Sequence, residues 1–236
     1  MSARAPDNGF VYGMDDVTKA ADPSFAEAYE RIRAGCDALA PKVRELIGLA
    51  VNAAPTHLNR DAVVAHVRGA RHHGASDDEI LEALQIAACL GIHALTFGGA
   101  ILAEESQELR AAMSNDLSPR ESELVELWVE GSGRPWLPVF DPVLRGAPEV
   151  FGAWCDLMNI PVQRGRIEPK IRELIYLALD GGITHMHPGT RAHIRLALEY
   201  GASFEEIMAA LSLASLVAVQ GYGWGIHALS DDIEPP

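Results

Sequence analysis

Four residues of this chain pair off in a pattern that suits proton transfer: Glu45 with His66, and Glu173 with His193. A histidine changes protonation state near neutral pH, and a carboxylate one helix away can hold its ring in one tautomer and steady the imidazolium. Each glutamate follows an arginine, Arg44 or Arg172. Helical neighbours point apart, so a plain interhelical salt bridge is the structural alternative for the same carboxylates. His57 and His185 both follow a threonine, and Arg60 and Arg191 lie near the histidines in sequence. An arginine there would give an anionic substrate local positive charge in an otherwise acidic chain. His93, inside an apolar stretch, and Trp136, in a proline-rich segment, complete the candidate substrate-binding set.

Other chemistries fit the residues less well. His185-Met-His187, with His193 downstream, has the look of a zinc or copper site, but Asn59 stands where His187 stands in the other half of the chain, and the expectation is no metal and no cofactor. Cys36, Cys89 and Cys155 form no C-x-x-C and are expected to be buried free thiols. Acidic residues outnumber basic ones by 33 to 19 over 236 residues, a net charge of −14, which argues against nucleic-acid binding. With 48% hydrophobic and 22% charged residues, the composition is that of a globular chain with a substantial core. There is no unbroken run of eighteen apolar residues, and the first sixteen lack the apolar stretch of a signal peptide, so a cytoplasmic protein with no membrane partner is expected.

The elements that must position the two pairs come from a repeated unit. Pro41-Lys-Val-Arg-Glu-Leu-Ile-Gly-Leu-Ala50 recurs as Pro169-Lys-Ile-Arg-Glu-Leu-Ile-Tyr-Leu-Ala178, identical at eight of ten positions. The copies stay in step at an offset of 128 through Thr56-His57 and Thr184-His185, lose one residue, and resume at His66 with His193 and at Gly74-Ala-Ser76 with Gly201-Ala-Ser203. Such self-similarity marks a tandem duplication. The spacing of Leu46, Ile47, Leu49 and Ala50 predicts a helix with Pro41 in its first turn, followed by a helix from about Asp61 to His72 that stops at Gly74. Ser76-Asp-Asp-Glu79 and Ser203-Phe-Glu-Glu206 spell the S-x-x-E capping box, ahead of apolar helices from Ile80 to about Leu102 and from Ile207 to about Val219. The expected organisation is an extension over 1–22, repeats over 23–112 and 148–236, and a linker over 113–147. That linker holds a short helix from Ser118 to Val129, then a proline-rich stretch whose Trp136 and Phe140 either anchor it or cover a cleft mouth.

On Pro41-Lys-Val-Arg-Glu-Leu-Ile, His66-Val-Arg-Gly-Ala-Arg-His-His-Gly-Ala-Ser-Asp-Asp-Glu-Ile80 and Ala87-Ala-Cys-Leu-Gly-Ile-His93, and on their counterparts in the second copy, the chain resembles the carboxymuconolactone decarboxylase family. The resemblance implies an all-α tandem of helical units that assembles as a homo-oligomer, with a trimer favoured. It also implies cofactor-free decarboxylation, or related acid/base chemistry, on a small and anionic unsaturated lactone or keto acid. In that reading His66 and His193 donate protons, Glu45 and Glu173 orient them, and an arginine anchors the substrate. Relatives of the alkylhydroperoxidase D type carry a C-x-x-C, but the matching positions here are His57 and Arg60 in one copy and His185 and Pro188 in the other, which removes thiol peroxidase chemistry. Two alternatives stay open: a non-catalytic ligand-binding scaffold, and a metal-dependent enzyme using the histidine cluster.

Overall fold

A computed structural model describes residues 14–230, so most of the 1–22 extension, and with it the segment on which the leader-peptide reading rests, lies outside the described residues. The described residues are helical, with no strand among them. They fall into two compact units, residues 14–87 with 167–230, and Ala88–Arg166, so that each repeat contributes helices to both.

The first unit contains α1 (Asp16–Ala21), α2 (Pro23–Ala34), a 3-10 turn (Gly35–Ala38), α3 (Pro41–Ala53) and α4 (Arg60–His72). Most of α5 (Asp77–Cys89) belongs to it as well. From the second repeat come α11 (Pro169–Leu177), a π turn (Ala178–Ile183), α12 (His187–Glu199), α13 (Phe204–Ser215) and α14 (Ala218–Leu229). Within each repeat the motif helix packs along the helix that follows it, α3 on α4 and α11 on α12, and the two motif helices also meet each other. The reason is their composition: Leu46, Ile47, Leu49 and Ala50, like Leu174, Ile175, Leu177 and Ala178, are all fully buried, so neither helix has a solvent face along this stretch. The caps form as the sequence predicts. Ser76 and Glu79 exchange hydrogen bonds of 3.2 and 2.8 Å, Ser203 and Glu206 exchange bonds of 3.1 and 2.9 Å, and Gly74 and Gly201 adopt φ of +84° and +82° after their helices.

The second unit holds the remaining helices, α6 (Ile92–Glu105), α7 (Gln107–Met113), α8 (Pro119–Ser132), α9 (Asp141–Gly146) and α10 (Pro148–Arg164). Its core gathers Leu124, Trp128, Phe140, Leu144, Phe151 and Cys155. The helix expected from Ile80 to Leu102 is broken at Leu90-Gly91, where the Trp154 indole lies so close that a Cβ on Gly91 would sit 2.6 Å from it. The second apolar helix breaks at Leu216-Val217 and then continues through Gly221-Tyr-Gly-Trp-Gly225, well past the expected end at Val219. By length and composition alone, Asp77–Glu105 and Phe204–Leu229 are apolar enough to cross a membrane; 33% and 44% of those windows are buried within the protein. All three cysteines are buried and outside any disulfide, and burial pushes the Cys155 thiol up to about 12, which keeps it protonated and unreactive.

Candidate functional site

In repeat one, α3 presents Glu45 and α4 presents His66, both buried, with His66 Nδ1 donating to Glu45 Oε2 at 2.8 Å. Two glycines make this possible. A Cβ on Gly48 would overlap the His66 ring, and one on Gly69 would overlap the Glu45 carboxylate, so bare backbone on each helix lets the other helix's side chain lie flat against it. One turn beyond Gly48, Asn52 donates to the Gly48 carbonyl at 2.8 Å and accepts from Gln220 Nε2 at 2.8 Å. Gln220 Oε1 in turn accepts from His57 Nε2 at 2.9 Å and from Asn59 Nδ2 at 2.7 Å. Repeat two thus completes a polar network in repeat one, and Gln220 occupies the position that His93 holds in the first copy.

Repeat two builds the same pair with different surroundings. His193 Nδ1 donates to Glu173 Oε2 at 2.7 Å, while His193 Nε2 stands 3.6 Å from Asp180, a buried carboxylate at the position of Asn52. Gly189 leaves the space that Asp180 fills. Tyr176, at the position of Gly48, stacks on the imidazole with ring centroids 4.8 Å apart and planes 7° from parallel. His193 is therefore flanked by two carboxylates and covered on one face by a phenol, whereas His66 lies on a glycine.

The structure separates two residues that the sequence aligns. Leu58 and His185 share the left-handed conformation, at φ of 47° and 53°. The backbone bonds Asn59 N–H to Asn52 O and Met186 N–H to Asp180 O match each other, and Asn59 and Met186 are the N-caps of α4 and α12. The residue missing from repeat two is thus lost before His185, so His185 corresponds to Leu58 and not to His57. His57 turns to Gln220, while His185 is exposed and its Nδ1 bonds the Gly181 carbonyl at 2.9 Å.

The other candidates are dispersed. Arg60 and Arg191 are exposed, and Arg191 Nη2 stands 3.3 Å from His187 Nε2. His93 and Trp136 belong to the second unit. There the Trp136 indole N–H donates to Asp141 at 2.8 Å and the ring lies edge-on to Phe140 and Phe151, so the proline-rich stretch is tied down by its aromatics. Among the described residues, no three or more His, Cys, Asp or Glu side chains gather closely enough to hold a metal ion.

Arg44, beside Glu45 in repeat one, is a further candidate that no sequence pattern singles out. Arg44 and Glu45 both line a cavity of about 280 Å³, together with Lys19, Tyr29, Arg33 and Leu213. In repeat two the matching Arg172 is sealed: its Nε donates to Glu82 at 2.9 Å and its Nη2 to the Ile167 carbonyl at 2.9 Å, all buried.

The profile described as the carboxymuconolactone decarboxylase family matches residues 23–105 and 148–221. The chain belongs to that family. A carboxymuconolactone decarboxylase family member with two such matches in one chain is a tandem duplication, which accounts for the paired sites. A crystal structure from Burkholderia xenovorans LB400, described as a candidate gamma-carboxymuconolactone decarboxylase subunit, superposes with a TM-score of 0.84 at 29% identity, covering 97% of this chain and 95% of that one. No curated protein matches the sequence significantly.

Proposed function

We propose that this family member is a lyase that decarboxylates a small unsaturated lactone or keto acid by acid/base chemistry, without a cofactor, and that a His–Glu pair moves the proton. The observation that carries the reading is the repetition: the two buried pairs occupy identical places in the repeated unit and close to 2.8 and 2.7 Å. In such a reaction the bond to the departing carboxylate breaks and its electron pair passes into the conjugated carbonyl. Carbon dioxide leaves, and the carbon then takes a proton. In repeat one Glu45 is the member of the pair that borders the cavity, so the proton passes from His66 through the Glu45 carboxyl to the substrate carbon. The exposed Phe97, Ile101 and Leu102 on α6 support the further proposal of a homo-oligomer, a trimer first, to be checked by light scattering.

The test is carbon dioxide release from carboxymuconolactone and related conjugated keto acids and lactones, with and without a chelator, using protein purified without added metal. Release that survives the chelator is expected. Release that the chelator abolishes would point to the metal-dependent alternative, and no release from any member of the panel would favour the ligand-binding scaffold.

A further inference from the structure

We propose that the cavity over Arg44 binds one small organic acid per chain, with the Arg44 guanidinium holding a carboxylate. This deepens the proposed function by naming where the acid sits, and it is read by binding, so failure of the site and failure of turnover can be told apart.

The argument starts from two arginines at one position of the repeated unit. Arg172 is neutralised by Glu82, which projects from α5 and also accepts from the Ile167 N–H at 3.1 Å, so guanidinium, carboxylate and backbone form a closed buried knot. At the place in α13 that corresponds to Glu82 the sequence has Ala209. The helix α13 packs on α3 and on the Gly35–Ala38 turn, and Leu213, one turn beyond Ala209, lines the cavity. Ala209 therefore brings no carboxylate to Arg44. Its acidic partner is Asp37, whose side chain is 63% exposed and lies outside the cavity lining.

The remaining charges in the lining sharpen the preference. Lys19 and Arg33 share Glu30, at 3.7 and 2.5 Å, and Glu45 is engaged by His66. Three cationic side chains, with the His73 imidazole beside them, thus face two acids, both already committed, and Arg44 is the base best placed to take an anion. The walls include the buried Tyr29 ring and Leu213, so an apolar skeleton is accommodated beside the charge. At about 280 Å³ the cavity falls just short of the span of ligand pockets, about 300–1,000 Å³, and this selects a small acid over a nucleotide. A planar guanidinium meets a carboxylate with two parallel hydrogen bonds, the geometry that Arg172 partly satisfies within the protein.

Isothermal titration with adipate, trans,trans-muconate and inorganic phosphate tests the site. One dicarboxylate per chain is expected. Arg44→Gln and Ala209→Glu should each weaken binding at least about tenfold, the second by supplying the carboxylate that repeat two already has. Arg120→Gln, which removes the same charge from the second unit, should leave binding unchanged, and melting curves verify that each variant folds. Two dicarboxylates per chain, phosphate bound in preference to both dicarboxylates, no binding, or undiminished binding to folded Arg44→Gln would each overturn the proposal.

Discussion

In repeat one, Gly48 leaves the space in which the His66 ring lies; at the same position of repeat two, Tyr176 stacks on His193. Asn52 carries a hydrogen-bond network that reaches Gln220 and His57, where Asp180 instead puts a second carboxylate near the imidazole. Arg44 looks onto a cavity, where Arg172 is locked to Glu82. The duplication thus holds the His–Glu pair twice while what surrounds it differs. Such a pair and its access are separable: the pair follows from the repeated helices, and access follows from residues that the other repeat supplies.

The two arginines should differ most. Glu82→Ala leaves the buried Arg172 guanidinium and the Ile167 N–H without their carboxylate, and should cost about 3–5 kcal/mol in urea denaturation. Arg44→Ala disturbs a pair whose acidic member, Asp37, is largely exposed, and should cost less than about 1 kcal/mol. Equal costs would mean that Arg44 is as structural as Arg172. Next, Gly48→Ala forces the His66 ring away from α3, at about 1–3 kcal/mol of stability and with a lower rate of carbon dioxide release. Gly221→Ala, where a Cβ meets nothing within 4 Å, should instead stabilise by about 0.4–1 kcal/mol.

Two smaller predictions should come out the same in both repeats, which makes them controls. Ser76→Ala and Ser203→Ala each remove a capping box and should each cost about 1 kcal/mol by thermal melting. The ion pairs Lys42–Glu79 and Lys170–Glu206, both 2.8 Å, also match. Burial pushes both glutamates up, but the hydrogen bonds from the lysines and from Ser76 or Ser203 outweigh it and hold each carboxyl below the usual value of 4.5. Their folded form is the more acidic one, so the stabilisation is complete above that value and is lost as the pH falls below it. Acid titration of Lys42→Met and Lys170→Met should show equally reduced acid sensitivity; a marked difference would place an asymmetry outside the sites described.

Much of this was legible in the sequence. Eight identities in ten residues, repeated capping boxes and helical spacing suffice to fix an all-α tandem and to set Glu45 against His66 and Glu173 against His193. What escaped depends on contacts distant along the chain. Gln220 reaches Asn52 and His57 across more than 160 positions, and no local pattern announces that. The equivalence of His57 and His185 looked sound because both follow threonine, and only the backbone conformation moves the lost residue upstream. Arg44 was legible as a neighbour of Glu45, but its different fate from Arg172 is written at Glu82 and Ala209, in helices of the opposite repeat. The break at Leu90-Gly91 has its counterpart at Leu216-Val217 in the other repeat, and hydrophobic periodicity along a single helix registers neither.

Carbon dioxide release by Glu45→Gln and Glu173→Gln, each with its melting temperature, separates the two repeats. If repeat one holds the accessible acid/base pair, Glu45→Gln loses about a hundredfold or more in rate while still folding, and Glu173→Gln keeps a rate close to that of the parent protein. Equal losses in two folded variants, or a loss confined to Glu173→Gln, would contradict it.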